Sequence, residues 1–218
     1  MATSVREKAR IRDIVISHAH MDHIAGLPLY VDDLFASLDE PIRIHAAKEV
    51  VDILERDVFN WDVYPRFSEL ANENGPVMEY STFSSGSPFT VKGLTLEAIE
   101  VNHKVPSCGF LVTEGNSTIG LSGDTAEMDA FWDAVNSVDN LRAVLLECAF
   151  PDELAELADL SHHLTPSRVA KELSKFTKDC PVYIVNMKPM YRDMIVEQFV
   201  RLDLDPVRIL EVGRVYEW

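Results

Sequence analysis

Cysteine and positive charge are both scarce in this sequence of 218 residues. The three cysteines, Cys108, Cys148 and Cys180, are odd in number and form no CxxC pair, so no disulfide framework is predicted and a reducing, cytoplasmic compartment is expected. Twenty Lys and Arg residues stand against 36 Asp and Glu residues, which gives a net charge of −16. Because affinity for nucleic acid comes mainly from Lys and Arg, this balance excludes binding through a generally basic surface. An anionic substrate remains compatible with it, since bound metal cations invert the local field.

Long apolar runs are missing as well. None approaches the roughly 18 residues that span a bilayer, and the charged start MATSVREKARIRD lacks the apolar core of a signal peptide. Hydrophobic residues make up 47% of the chain and charged residues 26%, as in an ordinary globular protein. We therefore expect a soluble protein that forms a single domain over residues 1–218 and has no membrane partner.

Apolar runs alternate with helical patterns along the chain. The predicted strands are Ile11–Ile16, Ile42–His45, Leu94–Val101, Gly109–Thr113, Ser117–Leu121, Ala143–Glu147, Val182–Val185 and Val207–Leu210. The predicted helices are Pro28–Leu38, Ala47–Asn60, Met128–Ser137, Pro166–Phe176 after an N-cap at Thr165, and Tyr191–Arg201. Residues 61–90 are predicted to be irregular, with one or two strands. This interleaving predicts the α/β or mixed αβ class.

The segment His18-Ala19-His20-Met21-Asp22-His23 places four potential metal ligands within six residues, directly after a predicted strand. Imidazole and carboxylate together suit zinc, with manganese or iron as further candidates. In an extended loop, His18 and His20 face one metal ion, and Asp22 and His23 are displaced toward a second. The alternative is a polar loop without a metal, which is disfavoured because three of the seven histidines lie in this segment.

Two single residues further along follow predicted strands in the same way. His103 comes after Leu94–Val101, and Asp124 comes after Ser117–Leu121. Alone, each would be weak evidence, because a single His or Asp at a strand end is more often a cap or turn residue. A carboxylate at Asp124 would also suit a bridge between two cations.

These residues together resemble a known family. HAHMDH resembles the HxHxDH signature of the metallo-β-lactamase superfamily of metallohydrolases, His103 matches its next histidine, and Asp124 matches its bridging aspartate. Within that superfamily the chain is most similar to the class II 3′,5′-cyclic-nucleotide phosphodiesterases. The segments that carry this similarity are His18–Pro28, Ser107–Leu111, Ser122–Thr125, Glu147–Pro151 and His163–Pro166. The resemblance implies the four-layer αββα fold.

The resemblance also implies a site with two metal ions. His18, His20 and His103 would hold the first ion, Asp22 and His23 the second, and Asp124 would bridge them. The implied reaction hydrolyses cyclic AMP or cyclic GMP to the 5′-monophosphate by attack of a metal-bound hydroxide.

Asp22 and His163 are the expected catalytic residues of that reaction. His163 would be the general acid that protonates the departing 3′ oxygen. The alternative is that His162 or His163 only caps the helix that follows.

The chain departs from the family pattern in two places. Asn186 stands where the final histidine ligand of the second metal is expected, so that site would bind weakly, take a harder metal, or recruit His162 or His163. Only about ten residues precede the strand at Ile11, where family members have further strands. We therefore expect the first part of the sheet to be missing, and the unpaired edge invites formation of a homodimer.

Other functions remain open at this point. Within the fold they are a nuclease that processes tRNA 3′ ends, or a thioester hydrolase. The acidic balance argues against RNA, and Lys171, Lys175 and Lys178 are interpreted as the solvated face of a helix. A third alternative is an impaired protein that binds a metal ion or a nucleotide without turnover.

The aromatic residues Phe59, Trp61, Tyr64 and Phe67 offer a stacking surface for a base. Packing of the irregular segment is the favoured interpretation of these four residues.

Overall fold

The computed structural model describes residues 5–218, with side chains from Glu7 onward. The sequence interpretation of the first four residues, which belong to the charged start, lies outside this range. The chain divides into two compact units, Met1–Ser84 and Ser85–Trp218. Each unit contains helices and strands, so the mixed α/β class is confirmed.

The first unit is built on a parallel sheet of three strands. The strands of the whole unit are β1 Asp13–Val15, β2 Ile42–Ala47, β3 Ala71–Asn72, β4 Gly75–Pro76 and β5 Met78–Phe83. The sheet has the order β1-β2-β5, with Ile14 opposite Ile44 and Ile44 opposite Tyr80, while β3 and β4 form a separate short hairpin. In the described part of the chain β1 is thus an edge strand beside β2, and association of two copies through it stays a prediction.

The first unit also contains short helices. They are α1 Val5–Lys8, α2 Met21–Ile24, α3 Leu27–Leu34 and α4 Lys48–Ile53, and a wider π-helical turn continues α4 over Leu54–Val58. The buried core joins Ile42 and Ile44 of the sheet to Val31 and Val50 of the helices. The predicted helices Pro28–Leu38 and Ala47–Asn60 are confirmed apart from their ends.

The prediction for residues 61–90 is wrong in its count of strands, because β3, β4 and β5 lie in this range and a further strand begins at Phe89. Strand β5 was missed because its buried positions, Met78 and Phe83, are too far apart to give a clear alternation. Two of the four aromatic residues considered for base stacking are packed in the core. Phe59 and Phe67 are fully buried with ring centroids 5.9 Å apart, whereas Trp61 is exposed.

The second unit is built on a mixed sheet of seven strands. They are β6 Phe89–Val91, β7 Leu94–Glu100, β8 Cys108–Glu114, β9 Ser117–Leu121, β10 Leu141–Glu147, β11 Val182–Val185 and β12 Val207–Ile209, in the order β12-β11-β10-β9-β8-β7-β6. Strands β6 to β9 pair antiparallel, and β9 to β12 pair parallel. The predicted strands of this unit are confirmed.

Four helices accompany this sheet: α5 Ala130–Ser137, α6 Ala155–Ser161, α7 Pro166–Leu173 and α8 Arg192–Leu202. The buried faces of α5, α7 and α8 pack on β10 and β11 in one hydrophobic cluster, whereas Ala158 of α6 packs with Ala149 and Phe150. Gly120 in β9 allows α5 to lie close to the sheet, because a Cβ there would come within 3.2 Å of Val135. All three cysteines are buried and free, as predicted. Among residues 5–218, no helix has the length and apolar character that crossing a membrane requires.

A buried carboxylate links α5 to α7. Glu172 accepts hydrogen bonds from the Trp132 indole N–H (2.8 Å), the Met128 backbone N–H (3.1 Å) and the Lys175 ammonium group (2.8 Å). Lys175 also contacts Asp129 at 2.8 Å. The prediction that Lys175 belongs to a solvated face is therefore wrong: its charge neutralises a carboxylate that the core encloses.

The other two lysines of that prediction differ from Lys175. Lys171 is exposed in α7, as predicted. Lys178 follows the end of α7 at Leu173 and is half-buried. Its ammonium group lies 3.9 Å from the carboxylate of Asp139.

Asp152 stabilises the start of α7. Its carboxylate accepts hydrogen bonds from the Ser167 N–H (3.0 Å) and hydroxyl (2.6 Å). Partial burial opposes ionisation, but these bonds, the hydroxyl of Thr165 and the charge of Arg168 lower the pKa of Asp152.

We expect Asp152→Ala to lower the free energy of unfolding at neutral pH by about 0.5–1 kcal/mol, in the lower part of the range for helix caps because the carboxylate is half-exposed. A group with a depressed pKa in the folded state stabilises above its unfolded pKa and loses this effect as the pH falls through the folded value. The difference between the two proteins should therefore shrink below about pH 4. Urea titrations at several pH values measure it, and a constant difference would contradict the assignment.

Candidate metal centre

In the first unit, the histidine-rich segment follows β1. Residues 17–20 form a loop, and Asp22 and His23 lie in α2 rather than in an extended loop as expected. His18 is fully buried, and its ring lies 4.8 Å from that of His20 and 4.2 Å from that of His23, measured between centroids. Three imidazoles thus cluster around His18. Asp22 lies beside them, with its carboxylate 4.0 Å from Nε2 of His23.

In the second unit, polar residues that follow separate elements converge. His103 comes after β7, Asp124 after β9, and His163 between α6 and α7. One ligand atom from each of the three lies within 4.8 Å of the others. The structure thus brings these three residues together, while the separate roles expected for them from the sequence stay predictions.

The ring of His103 is oriented by the backbone. Its Nδ1 lies 3.0 Å from the carbonyl oxygen of His162. A carbonyl oxygen can only accept, so Nδ1 carries the proton and Nε2 presents the lone pair. Metal-binding histidines are oriented in this way in proteins. The side chain of His162 is instead hydrogen-bonded to Asn102, through Nδ1 and Oδ1 at 3.0 Å.

His163 is oriented by a buried carboxylate. Its Nδ1 lies 2.8 Å from Oε1 of Glu147, which also accepts the Thr125 N–H at 3.0 Å. Burial opposes protonation of His163, but the hydrogen bond and charge of Glu147 together with the charge of Asp124 raise its pKa. Burial raises the pKa of Glu147. Both shifts favour retention of a proton between Nδ1 and Oε1, and this proton fixes the ring.

Glu147 was not predicted as a functional residue. It ends β10, and its fully buried carboxylate is the signal that distinguishes it from an ordinary strand terminus. Its backbone N–H donates to the Ser122 hydroxyl (3.0 Å), which donates in turn to the carbonyl of Gly123 (2.7 Å). These bonds connect the end of β10 to the loop that carries Asp124.

Asn186 follows β11 and reaches the same cluster. Asn186 adopts a left-handed backbone conformation (φ 57°), and its side-chain amide Nδ2 donates a hydrogen bond to Oδ1 of Asp124 at 2.7 Å. Because a carboxylate only accepts hydrogen bonds, the NH₂ group and not the amide oxygen faces Asp124. Asn186 therefore contacts the aspartate at the position where a metal-binding histidine was expected.

The donor sets of both units fit a divalent metal ion. Clustered imidazole nitrogens beside a carboxylate, half-exposed at Asp22 and buried at Asp124, are the ligand types that zinc takes, and manganese and iron accept them as well. The fixed tautomer of His103 and the Glu147–His163 pair add the outer hydrogen bonds that accompany such ligands.

Residues 2–184 match the family described as the beta-lactamase superfamily domain, and the chain belongs to this family. The structure of unliganded yeast PDE1 superposes with a TM-score of 0.79 at 20% identity, covering 95% of this chain and 69% of that one. The metallo-β-lactamase fold expected from the sequence is thereby confirmed, and with it a metallohydrolase family that binds divalent metal.

The sequence of the chain is also similar to those of individual proteins. A probable 3′,5′-cyclic-nucleotide phosphodiesterase of Yersinia pestis is 27% identical over 210 residues, which cover 84% of this chain and 58% of that protein. A ribonuclease Z of Limosilactobacillus fermentum is 28% identical over 113 residues, which cover 51% of this chain and 34% of that protein. The chain thus spans little more than half the length of the first of these relatives.

Proposed function

We propose that this protein is a metal-dependent phosphodiesterase that hydrolyses a 3′,5′-cyclic nucleotide to the 5′-monophosphate. The observation that carries the proposal is the Glu147–His163 pair beside Asp124, which offers a proton donor next to a metal ligand. The similarity to a cyclic-nucleotide phosphodiesterase supports this choice among the hydrolases of the family.

Each unit holds proposed metal ligands of its own. They are His18, His20, Asp22 and His23 in the first unit and His103 and Asp124 in the second. When bound there, divalent ions, zinc foremost, would supply a water nucleophile at neutral pH and would neutralise charge on the phosphate. Asp22 is also proposed as a catalytic residue. Its carboxylate is half-exposed, which makes it accessible to solvent water.

His163 is proposed as the general acid. Hydrolysis adds a water oxygen to phosphorus and breaks the bond to the 3′ oxygen, which then needs a proton. Because Glu147 holds Nδ1, the atom that delivers the proton is Nε2, 4.0 Å from Oδ2 of Asp124. A group held in one orientation transfers a proton without first being reoriented.

An assay with cyclic AMP and cyclic GMP tests the proposal. Protein stripped by a chelator is reloaded with zinc or manganese, and formation of the 5′-monophosphate is followed. Turnover that disappears on stripping and returns on reloading is the expected result. Absence of turnover of both nucleotides with either metal would remove the proposal and would favour a protein that binds a nucleotide without hydrolysing it.

A second candidate is a nuclease acting on RNA 3′ ends, which the similarity to a ribonuclease Z favours. The net charge of −16 opposes it, since RNA backbones are bound mainly by Lys and Arg. A precursor tRNA in the same assay distinguishes the two activities.

A further inference from the structure

A cavity of about 530 Å³ lies in the second unit, where β11 and β12 end. Most of its wall is apolar and is formed by Ile184, Val185, Met187, Leu210 and Val212. Strands β9 to β12 run parallel, and ligands of such sheets bind beyond the carboxyl ends of the strands. Cavities that bind small molecules have volumes of about 300–1,000 Å³. The cavity therefore has the position, the size and the lining of a small-molecule site.

The segment between β11 and α8 connects the cavity to the candidate metal cluster of this unit. Asn186 lines the cavity, and its side-chain amide donates to Oδ1 of Asp124 at 2.7 Å. The Lys188 N–H donates to the carbonyl of Ala149 at 3.2 Å, two residues beyond the end of β10 at Glu147. The segment is thus fixed between the cavity and the strand ends that carry the cluster, so a small ligand can contact both.

The rim of the cavity is open and carries charge. Asn186 and Val212 are exposed, so a ligand can enter from solvent. Arg192, the first residue of α8, lines the cavity, as does Glu211, whose carboxylate is paired with Arg214 at 3.1 Å. A guanidinium group donates hydrogen bonds to the acceptor atoms of bases and stacks on aromatic rings. An apolar wall with an arginine at its edge fits a flat heterocycle that has polar edges.

We infer that this cavity binds the base and ribose of the cyclic nucleotide while the phosphate lies at the cluster of His103, Asp124 and His163. The inference rests on the proposed function, because it assigns a place to the nucleoside part of that substrate. Binding of this non-reacting part would hold the phosphate at the cluster. Asn186 is the residue that contacts both places.

Photolabelling with 8-azido cyclic AMP tests where the base binds. The azide is carried by the base, so irradiation attaches the probe to the residues beside it. In the zinc-loaded protein, irradiated briefly on ice, we expect the label in the tryptic peptides 179–192 and 209–214, which carry the cavity wall. An excess of cyclic AMP should prevent it. Label found only in other peptides, or label that the excess does not reduce, would overturn the inference.

Val212→Glu tests the cavity by substitution. Val212 is 94% exposed, so the fold should tolerate the change, while the new carboxylate lies in the wall and repels an anionic ligand. Because like charges brought together cost binding energy, we expect KM for the cyclic nucleotide to rise about tenfold and photolabelling to fall. The value of kcat should change little, since the lost contact is made by a part of the substrate that does not react, whereas a folding defect would lower kcat as well.

Val215→Glu is the matched control. It adds the same charge to the same terminal segment at a position that is 83% exposed and is not part of the cavity wall. Its KM should equal that of the wild-type protein. An unchanged KM in Val212→Glu, or an equal rise in the control, would overturn the inference.

The two measurements separate this inference from the proposed function. Turnover of cyclic nucleotides with the label outside the two peptides would contradict the cavity alone. Label in the two peptides without turnover would support the cavity and contradict hydrolysis.

Discussion

Replacing His163 with asparagine is expected to lower kcat for cyclic-nucleotide hydrolysis by about 10²- to 10⁴-fold, the range that general acid catalysis contributes. Asparagine can still donate a hydrogen bond to Glu147 through its amide NH₂ group, but it cannot deliver a proton to the 3′ oxygen. KM should change much less, because the missing interaction is made as the bond to the leaving oxygen breaks. Steady-state kinetics on the metal-loaded wild-type and variant proteins measure both quantities.

The leaving group provides the control for this prediction. A nitrophenyl phosphodiester releases a stable anion that needs no proton, so His163→Asn should lose far less activity on it than on a cyclic nucleotide. A merely structural role for His163 would reduce both activities alike. Equal losses on the two substrates would therefore refute its assignment as the acid.

Glu147 should affect the same step through His163. Glu147→Gln keeps an acceptor for the ring N–H at 2.8 Å but removes the charge, so a smaller loss of kcat than in His163→Asn is expected. Glu147→Ala removes the acceptor and should approach the loss seen in His163→Asn. If Glu147→Ala kept full activity, Glu147 would have no part in orienting the ring.

Most residues of the candidate site could be singled out from the sequence because they follow strands. His103 and Asp124 each come after a run that forms one strand of the seven-stranded sheet, and loops that leave such strands gather near one another. The amide of Asn186 was predicted as a departure, but its contact with Asp124 was not. That contact depends on the left-handed backbone conformation of Asn186 after β11. A single asparagine in a sequence predicts this conformation no more strongly than it predicts any other turn.

Glu147 and β5 could not be found for different reasons. A glutamate at the end of an apolar run is normally interpreted as a charge that returns to solvent, and only the tertiary fold buries it against His163. Strand β5 is stabilised by six residue pairs with β2. Pairing between segments that are distant in the sequence leaves no local pattern from which the strand could be predicted.

Glu172→Ala is expected to destabilise the protein by about 2–4 kcal/mol, because it leaves two buried N–H donors without their acceptor. The substitution leaves the Trp132 indole N–H and the Met128 N–H without their acceptor in the core, and leaves the charge of Lys175 without its buried partner. For a chain of this length each kcal/mol shifts Tm by about 2–4 °C, so a fall of roughly 10 °C is expected in thermal unfolding followed by circular dichroism. Lys175→Met is the matched control: because Lys175 is partly exposed and the two N–H donors keep Glu172, the loss should be smaller, about 1–2 kcal/mol. A Glu172→Ala protein as stable as the wild type would show that the link between α5 and α7 contributes nothing to folding.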